Sequence, residues 1–424
     1  MSGVDFLDKL LDGVAVELKP LGMVAEYVRG LVYNKSSESS DGHGYKVLRA
    51  NNITLASNQL NFDDIKVVNF DTKVKNTQKL YKNDILISAA SGSREHVGKV
   101  AFIDADIDFY YGGFMGVVRC SNGLNSRYMF HVLTSDIFQK YLDEMLNSST
   151  INNLNSTVMG EFKIPIPCPD NPKKSLEIQA EIVRILDAFT ELTTELTTEL
   201  TTRKKQYKHY RDQLLSFEDG EVEWKTLPEM ALDFGRGKSK HRPRNDEKLY
   251  GGDIPFIQTG DIRNAAHIIL HHSQTYSAFG LKQSKLWPKG TLCITIAANI
   301  AETSILGFDA CFPDSVIGFV ADPKKTSADY VEYLLQSVKN QLEEKGKEKS
   351  SAQSNINLAT FEQLKLPFPS LAEQARIVTI LDKFDALTNS LTEGLPREIE
   401  LRKKQYAHYR DLLLSFPKPQ EVVA

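Results

Sequence analysis

The stretch RKKQYKHYRDQLLSF at residues 203–217 returns as RKKQYAHYRDLLLSF at residues 402–416, with thirteen of the fifteen positions identical. Upstream, IVRILDAF at residues 182–189 returns as IVTILDKF at residues 377–384. Internal repeats of this kind reveal the architecture before any other pattern does. The chain is therefore a tandem duplication of about 200 residues, and the fold is expected to contain two like halves.

Weaker similarities extend the repeat through the rest of each half. The segment KIPIP at residues 163–167 matches KLPFP at residues 365–369. Short apolar runs between Gly, Asn, Ser and Asp turns are typical of strands, and helical runs at residues 128–146 and 330–344 follow them. Because proline lacks an N–H, the proline-rich segments are expected at sheet edges. Each half is predicted to hold a mixed α/β (α+β) domain with a twisted, mostly antiparallel sheet.

A long helix follows each mixed domain. From Ile178 to Phe217, apolar residues recur at steps of mostly three and four, which is the seam of a coiled coil. Residues 177–216 would span roughly 60 Å as a helix. A helix of that length needs a partner, for which the second copy is the candidate. Gly394 and Pro396 predict a kink or break in that copy.

The composition indicates a globular protein without a membrane span. The 424 residues are 41% hydrophobic and 25% charged, with a formal net charge of −4. There is no run of about 18 apolar residues, and the N-terminus lacks the regions of a signal peptide. The four cysteines form no CxxC pair, which fits a reduced cytoplasm and argues against structural zinc. Any nucleic-acid site must be a local basic patch.

The sequence carries no catalytic signature. It lacks GxGxxG, a Walker A loop, GxSxG, HExxH and the Asn/Asp-Pro-Pro-aromatic tetrapeptide of DNA amino-methyltransferases. His267 and His271 would share one helical face, as in a metal site, but the run between them resembles a strand. We therefore expect no catalytic residue and no metal site. These histidines and His272 are expected to face solvent or DNA.

Positive charge is concentrated in one segment that also contains Gly and Pro. The cations of this basic loop are Arg236, Lys238, Lys240, His241, Arg242 and Arg244. Such a loop suits phosphate contacts, and arginines can reach guanine edges, but a solvated loop explains the charge run equally well. The sparser candidates of the first half are Arg94, His96 and Lys99. Two polar loops, residues 147–150 and 345–350, are weaker candidates.

The chain resembles the specificity subunits of type I restriction–modification enzymes. The resemblance is carried by the IPIP strand with the helix start EIVRILD at residues 181–187, by their second copies, and by the RKKQY and YRD segments. The Thr-Glu-Leu-Thr repeat at residues 190–202 resembles the short-repeat helix of the IC subgroup. The similarity covers the whole chain in architecture and is sharp in the two helical regions.

This resemblance implies a non-catalytic subunit that reads double-stranded DNA. Target-recognition domains at residues 1–170 and 218–370 would each read half of a split site. Antiparallel coiled-coil helices at residues 171–217 and 371–424 would hold them apart and dock two methyltransferase subunits. Those partners would supply S-adenosylmethionine binding and N6-adenine methylation, and two restriction subunits would add ATP- and Mg-dependent translocation and cleavage. The break near Gly394 makes the pseudo-twofold symmetry approximate.

The matched helix ends are candidates for docking the methyltransferase subunits, because aromatic residues are favoured interface anchors. These residues are Arg203, Lys204, Tyr207 and Tyr210 in the first copy, and Arg402, Lys403, Tyr406 and Tyr409 in the second. Packing of the two helices on each other explains the tyrosines equally well.

Two other functions explain the sequence less well. A self-contained DNA-modifying enzyme would need an S-adenosylmethionine loop or a metal-carboxylate cluster, and the sequence has neither motif. A coiled-coil scaffold that never touches DNA would leave the duplicated domains and the basic loop unexplained.

Overall fold

The computed structural model describes the chain as two compact units. The described residues are 14–54, 57–91, 94–147, 153–218, 220–297, 300–348, 356–390 and 393–416. The first unit comprises residues 1–194 and 401–424, and the second comprises residues 195–400. Each unit therefore joins one mixed domain to the start of one helical arm and to the end of the other.

The first half contains eleven described strands and five described helices. The strands are β1 (Val16–Pro20), β2 (Ala25–Arg29), β3 (Tyr45–Leu48), β4 (Ile53–Thr54), β5 (Gln59–Leu60), β6 (Lys66–Val68), β7 (Ile85–Ser88), β8 (Val100–Phe102), β9 (Tyr110–Tyr111), β10 (Met115–Cys120) and β11 (Lys163–Pro167). The helices are α1 (Leu21–Val24), α2 (Ser126–Leu133), α3 (Asp136–Asn147), α4 (Ser156–Glu161) and α5 (Pro172–Leu214).

The second half repeats this order with additions. Its strands are β12 (Glu223–Thr226), β13 (Ala231–Arg236), β14 (Tyr250–Phe256), β15 (Ile268–Ile269), β16 (Gln274–Tyr276), β17 (Leu286–Trp287), β18 (Leu292–Thr295), β19 (Thr303–Leu306), β20 (Ala310–Cys311), β21 (Val316–Ala321) and β22 (Lys365–Phe368). Its helices are α6 (Leu227–Met230), α7 (Thr259–Asn264), α8 (Ala278–Lys282), α9 (Ala328–Glu348), α10 (Leu358–Glu362), α11 (Leu371–Asn389) and α12 (Gly394–Ser415).

The same two sheets occur in both units. The antiparallel sheet β2-β10-β7-β8 corresponds to β13-β21-β18-β19, to which the second unit adds β15 as a parallel edge strand. A smaller sheet, β6-β3-β9 or β16-β14-β20-β17, holds one parallel pair in each unit. The predicted mixed fold with mostly antiparallel sheets is confirmed.

The central strand β7 shows why these runs are almost entirely apolar. Ile85 and Ile87 belong to one hydrophobic core, whereas Leu86 belongs to a second core on the other face of the sheet. Successive side chains of a strand point to opposite faces, so a strand buried on both faces needs apolar residues at every position. The large sheet is therefore the layer between two cores.

The proline-rich strands lie at sheet edges, as predicted. Strand β11 pairs with β1 in a two-stranded sheet, and β22 pairs with β12 in the same way. The hydroxyl of Tyr128 donates to the carbonyl oxygen of Pro165 at 2.8 Å, and Tyr330 donates to Pro367 at 3.1 Å. Both halves of the repeat thus contain a buried hydrogen bond between a helix and the edge strand.

One expected helix is in fact two helices. Residues 128–146 divide into α2 and α3 at Thr134 and Ser135. The hydroxyls of these residues donate to the carbonyl oxygens of His131 and Val132, at 3.0 and 2.7 Å. These side-chain bonds satisfy carbonyl groups in the last turn of α2, where the helix ends.

The two helical arms differ in continuity. Helix α5 is unbroken over 43 residues, whereas the second arm ends at Asn389 and restarts as α12. Gly394 adopts a φ of +76°, which favours glycine, so the predicted break is confirmed. Among the residues that the structure describes, no helix combines the length and apolar character needed to cross a membrane.

Each unit pairs the two arms. In the first unit, the ring of Phe189 on α5 stacks on Tyr409 of α12, with centroids 5.3 Å apart. Earlier along α5, Ile182 shares a core with Leu413, so the two helices run antiparallel. In the second unit, Tyr210 of α5 stacks on Phe384 of α11 at 5.7 Å.

Candidate DNA interface and docking surfaces

The basic loop connects β13 to β14 in the second unit, and Asp314 anchors it. Arg236 Nε donates to the backbone carbonyl oxygen of Asp314 at 2.6 Å. Arg244 Nη2 lies 2.8 and 2.9 Å from the two carboxylate oxygens of the same residue. These two arginines therefore shape the loop.

Three other cations of the loop are presented to solvent. The side chains of Lys238, Lys240 and Arg242 are exposed. Arg242 Nη1 donates to the carbonyl oxygens of Ser239 and His241, at 2.6 and 2.8 Å, which fixes its direction. His241 is half-buried, with Nε2 2.7 Å from Asp246. Exposed cations on an anchored loop are suited to phosphate contacts.

The candidate DNA-binding residues of the first half differ in their exposure to solvent. Arg94 is exposed and pairs with Asp143 at 3.2 Å, and His96 is half-buried in the same short turn. Lys99, a candidate for DNA binding, is buried instead: it is 8% exposed, and its Nζ donates to the carbonyl oxygens of Ala50 and Ile53, at 2.9 and 3.0 Å. Burial lowers the pKa of this amine. Lys99 is therefore a structural residue.

The weaker polar loops, residues 147–150 and 345–350, lie outside the residues whose side chains the structure describes.

His267 is half-buried and pairs with two carboxylates, whereas the sequence predicted a histidine that faces solvent or DNA. Its Nε2 lies 3.1 Å from Asp329 and its Nδ1 lies 2.5 Å from the buried Glu332. Hydrogen bonds to these carboxylates raise the pKa of His267 to about 10. His271 and His272 are exposed. Across the described part of the chain, no group of His, Cys, Asp or Glu side chains is arranged to hold a metal ion.

At the helix ends, the first tyrosine of each pair lies inside its unit. Tyr207 is buried and its hydroxyl donates to Gln336 Oε1 at 3.3 Å. Tyr406 is partly buried, with its hydroxyl 3.0 Å from Nδ1 of His131. The second tyrosines, Tyr210 and Tyr409, stack on phenylalanine rings of the other arm. These contacts favour helix packing as the role of the tyrosines.

The cations at the helix ends divide into two classes. Arg203 donates to Glu199 at 2.7 Å and to Gln206 at 2.9 Å, and Arg402 donates to Gln405 at 2.8 Å. Lys204 and Lys403, by contrast, are exposed at matched positions. A partner that binds both copies could reach these two lysines.

Sequence reasoning missed a pair of matched aspartates. Asp187 Oδ1 lies 2.9 Å from both Arg127 Nε and His131 Nε2, whereas Asp382 accepts from the hydroxyl of Tyr333 at 2.7 Å. Both aspartates fasten a helical arm to the helix that covers the large sheet. The sequence signal for them was an aspartate repeated at the same place in the otherwise apolar ILD motif of both copies.

Comparison with known proteins agrees with this duplicated architecture. The family model described as "Type I restriction modification DNA specificity domain" matches residues 14–203 and again residues 222–401. The EcoR124I/EcoR124II specificity subunit of Escherichia coli is 35% identical over 431 residues, covering 100% of both chains. The EcoprrI specificity subunit, also from Escherichia coli, is 31% identical over 416 residues, covering 93% of each.

Two solved structures share the fold. A chain from a study of assembly and conformational transition of the type I R-M system has a TM-score of 0.64 at 15% identity, covering 94% of this chain and 97% of that one. The S subunit from M. genitalium has a TM-score of 0.51 at 16% identity, covering 96% and 98%.

Two copies of one mixed domain, each packed on paired helical arms, define a duplicated recognition protein. The chain belongs to the type I restriction–modification DNA specificity family. It is a specificity subunit with two recognition domains, and in this family catalysis resides in the partner subunits.

Proposed function

We propose that the recognition domains, residues 1–170 and 218–370, each bind one half of a bipartite site in double-stranded DNA. The helical regions, residues 171–217 and 371–424, set the distance between them. The observation that carries this proposal is the repetition of one sheet topology in both units while the exposed loops differ. A repeated scaffold with divergent loops is suited to reading two different sequences.

We further propose that two methyltransferase subunits dock on the helical arms and methylate adenine N6, with S-adenosylmethionine bound in those subunits. Two restriction subunits would complete the complex and use ATP and Mg. The complex would act in the cytoplasm, where the cell's DNA is accessible. The matched exposed lysines Lys204 and Lys403 support a partner that binds twice.

Reconstitution with a methyltransferase subunit tests the proposal. Sequencing of methylated DNA should give two short half-sites separated by unread base pairs. The methyltransferase without this chain is the control and should leave the same DNA unmethylated. A single contiguous motif, or methylation without this chain, would contradict the assignment.

A further inference from the structure

The repeat shows which loop of the first unit corresponds to the basic loop of the second. The basic loop joins β13 to β14, and the segment that joins β2 to β3 is residues 30–44. Gly237 N donates to Val316 O at 2.8 Å, and Gly30 N donates to Met115 O at 3.1 Å. The counterpart is therefore the loop at residues 30–44. The earlier candidates around Arg94 lie between β7 and β8, at a different corner.

The two corresponding loops are held in place by similar hydrogen bonds. Arg29 Nη2 donates to the carbonyl oxygen of Gly113 at 2.7 Å, as Arg236 does to that of Asp314 at 2.6 Å. A side chain at Gly30 would collide with the carbonyl oxygen of Gly112. The loop therefore packs closely on the turn between β9 and β10. In each unit, an arginine hydrogen bond joins the loop to the turn that it contacts.

The chemistry presented at this corner differs between the units. The second unit exposes a cluster of cations, whereas the first exposes one lysine, Lys35, and two apolar side chains, Val32 at 84% and Phe114 at 73%. Cγ2 of Val32 lies beside Gly113, the residue before Phe114, so Val32 and Phe114 belong to two segments that meet at this corner. The carbonyl oxygen of Phe114 accepts from the backbone N–H groups of Ala89 and Ala90, at 2.9 and 3.0 Å, which fixes its backbone.

We propose that Val32 and Phe114 read thymine in the half-site of the first recognition domain, by packing against its 5-methyl group in the major groove. The proposal rests on the DNA-reading function proposed above. The thymine methyl is the apolar group that base pairs present in the major groove, and apolar side chains contact it. Lys35, exposed on the same loop, is placed to contact a phosphate. The second domain uses cations at the same corner, so the two half-sites are read by different chemistry.

The test is thymine-to-uracil substitution, which removes the methyl group and leaves the hydrogen-bonding edges unchanged. The reconstituted complex is titrated with duplexes carrying uracil in one half-site or the other. Burial of one methyl corresponds to about a four-fold change in affinity. We expect uracil in one half-site to weaken binding by about that factor per contacted methyl. The Val32→Ser/Phe114→Ala double variant should bind thymine and uracil duplexes equally, at the weaker level.

Phe70→Ala is the matched control, because Phe70 is likewise an exposed phenylalanine of the first unit, but its ring packs on Tyr45 at the start of β3. It should retain the preference for thymine. The proposal would be overturned if the wild-type complex bound thymine and uracil duplexes with equal affinity. It would also be overturned if the half-site of the first recognition domain contained no thymine. Equal weakening of both duplexes by the double variant, with the wild-type showing no preference, would indicate an unstacking wedge instead. Each of these results leaves the bipartite motif intact, so it is distinguishable from failure of the proposed function.

Discussion

The hydroxyl of Tyr406 lies 3.0 Å from Nδ1 of His131, and the opposite ring nitrogen of His131 lies 2.9 Å from Asp187. The carboxylate of Asp187 accepts, so Nε2 carries the ring proton and Nδ1 accepts from Tyr406. A neutral imidazole satisfies both contacts. This chain of side chains fastens the C-terminal arm and the start of α5 to the first recognition domain.

Tyr406→Phe should destabilise the first unit, because it leaves a buried ring nitrogen without its donor. The expected loss is about 1 kcal/mol in the free energy of unfolding. Urea unfolding followed by fluorescence measures it. Tyr207→Phe is the matched control: its bond to Gln336 is longer, at 3.3 Å, so its loss should be smaller. If the two variants lost the same free energy of unfolding, the bond to His131 would be no more stabilising than the longer bond to Gln336.

His131 should make the first unit less stable in acid. Burial lowers its pKa, which hydrogen bonding to Asp187 only partly opposes. The unfolded state then binds more protons, so stability falls as pH drops below the unfolded value of about 6.5. His131→Gln should show a flatter dependence between pH 7.5 and 5.5 when unfolding midpoints are compared. A variant as acid-sensitive as the wild type would contradict this assignment.

His267 should have the opposite effect in the second unit. Its pKa is raised to about 10 by hydrogen bonds to Asp329 and Glu332. Its contribution to stability is therefore complete below pH 6.5 and is lost as the pH rises toward 10. His267→Gln should consequently destabilise the protein at pH 6 much more than at pH 10. An NMR titration that shows His267 losing its proton near 6.5 would refute the account.

The sequence predicted the duplication, the short apolar runs as strands, the edge position of Pro165 and Pro367, and the break at Gly394. All of these follow from local patterns of side-chain size, polarity or backbone freedom. The burial of Lys99 and the ion cluster at His267 did not follow. Both depend on carbonyl groups or carboxylates distant along the chain, such as Ala50 and Glu332, which no local pattern brings together.

The structure also changes how the basic loop should be tested. Arg236 and Arg244 hold Asp314, so their removal would disturb loop shape as well as charge. Changing Lys238, Lys240 and Arg242 to Ala leaves those anchors in place. If all three contact phosphates, the slope of log affinity against log salt concentration should fall by roughly 0.9 per contact. Lys365→Ala, on the edge strand β22, is the control and should leave the slope unchanged. An unchanged slope in the triple variant would identify the loop as solvated surface.

Docking of the methyltransferase should depend on Lys204 and Lys403 more than on the tyrosines. Charge reversal of both lysines to Glu should weaken assembly without altering thermal unfolding, because both side chains are exposed. Analytical ultracentrifugation of the mixed subunits measures the stoichiometry. A variant that still binds two methyltransferase subunits with wild-type affinity would exclude this surface.

Helix α5 contains the repeated unit Thr-Thr-Glu-Leu at residues 193–196 and 197–200. The helix is unbroken through this segment, and threonine hydroxyls donate to carbonyl oxygens four residues earlier, as in Thr194 to Thr190 at 2.9 Å. Four residues add about 6 Å and about 400° of rotation, or roughly 40° beyond a full turn. One base pair of DNA adds about 3.4 Å along the axis. Its rotation is about 34–36°. The rotation therefore matches one base pair.

Deletion of residues 197–200 tests most directly whether α5 sets the distance between the half-sites. The variant is assembled with the methyltransferase, and its methylation motif is determined by sequencing. We expect the unread spacer to shorten by one base pair with both half-sites unchanged, because no residue of either recognition domain is altered. An unchanged spacer, or altered half-sites, would show that this helix is not the ruler.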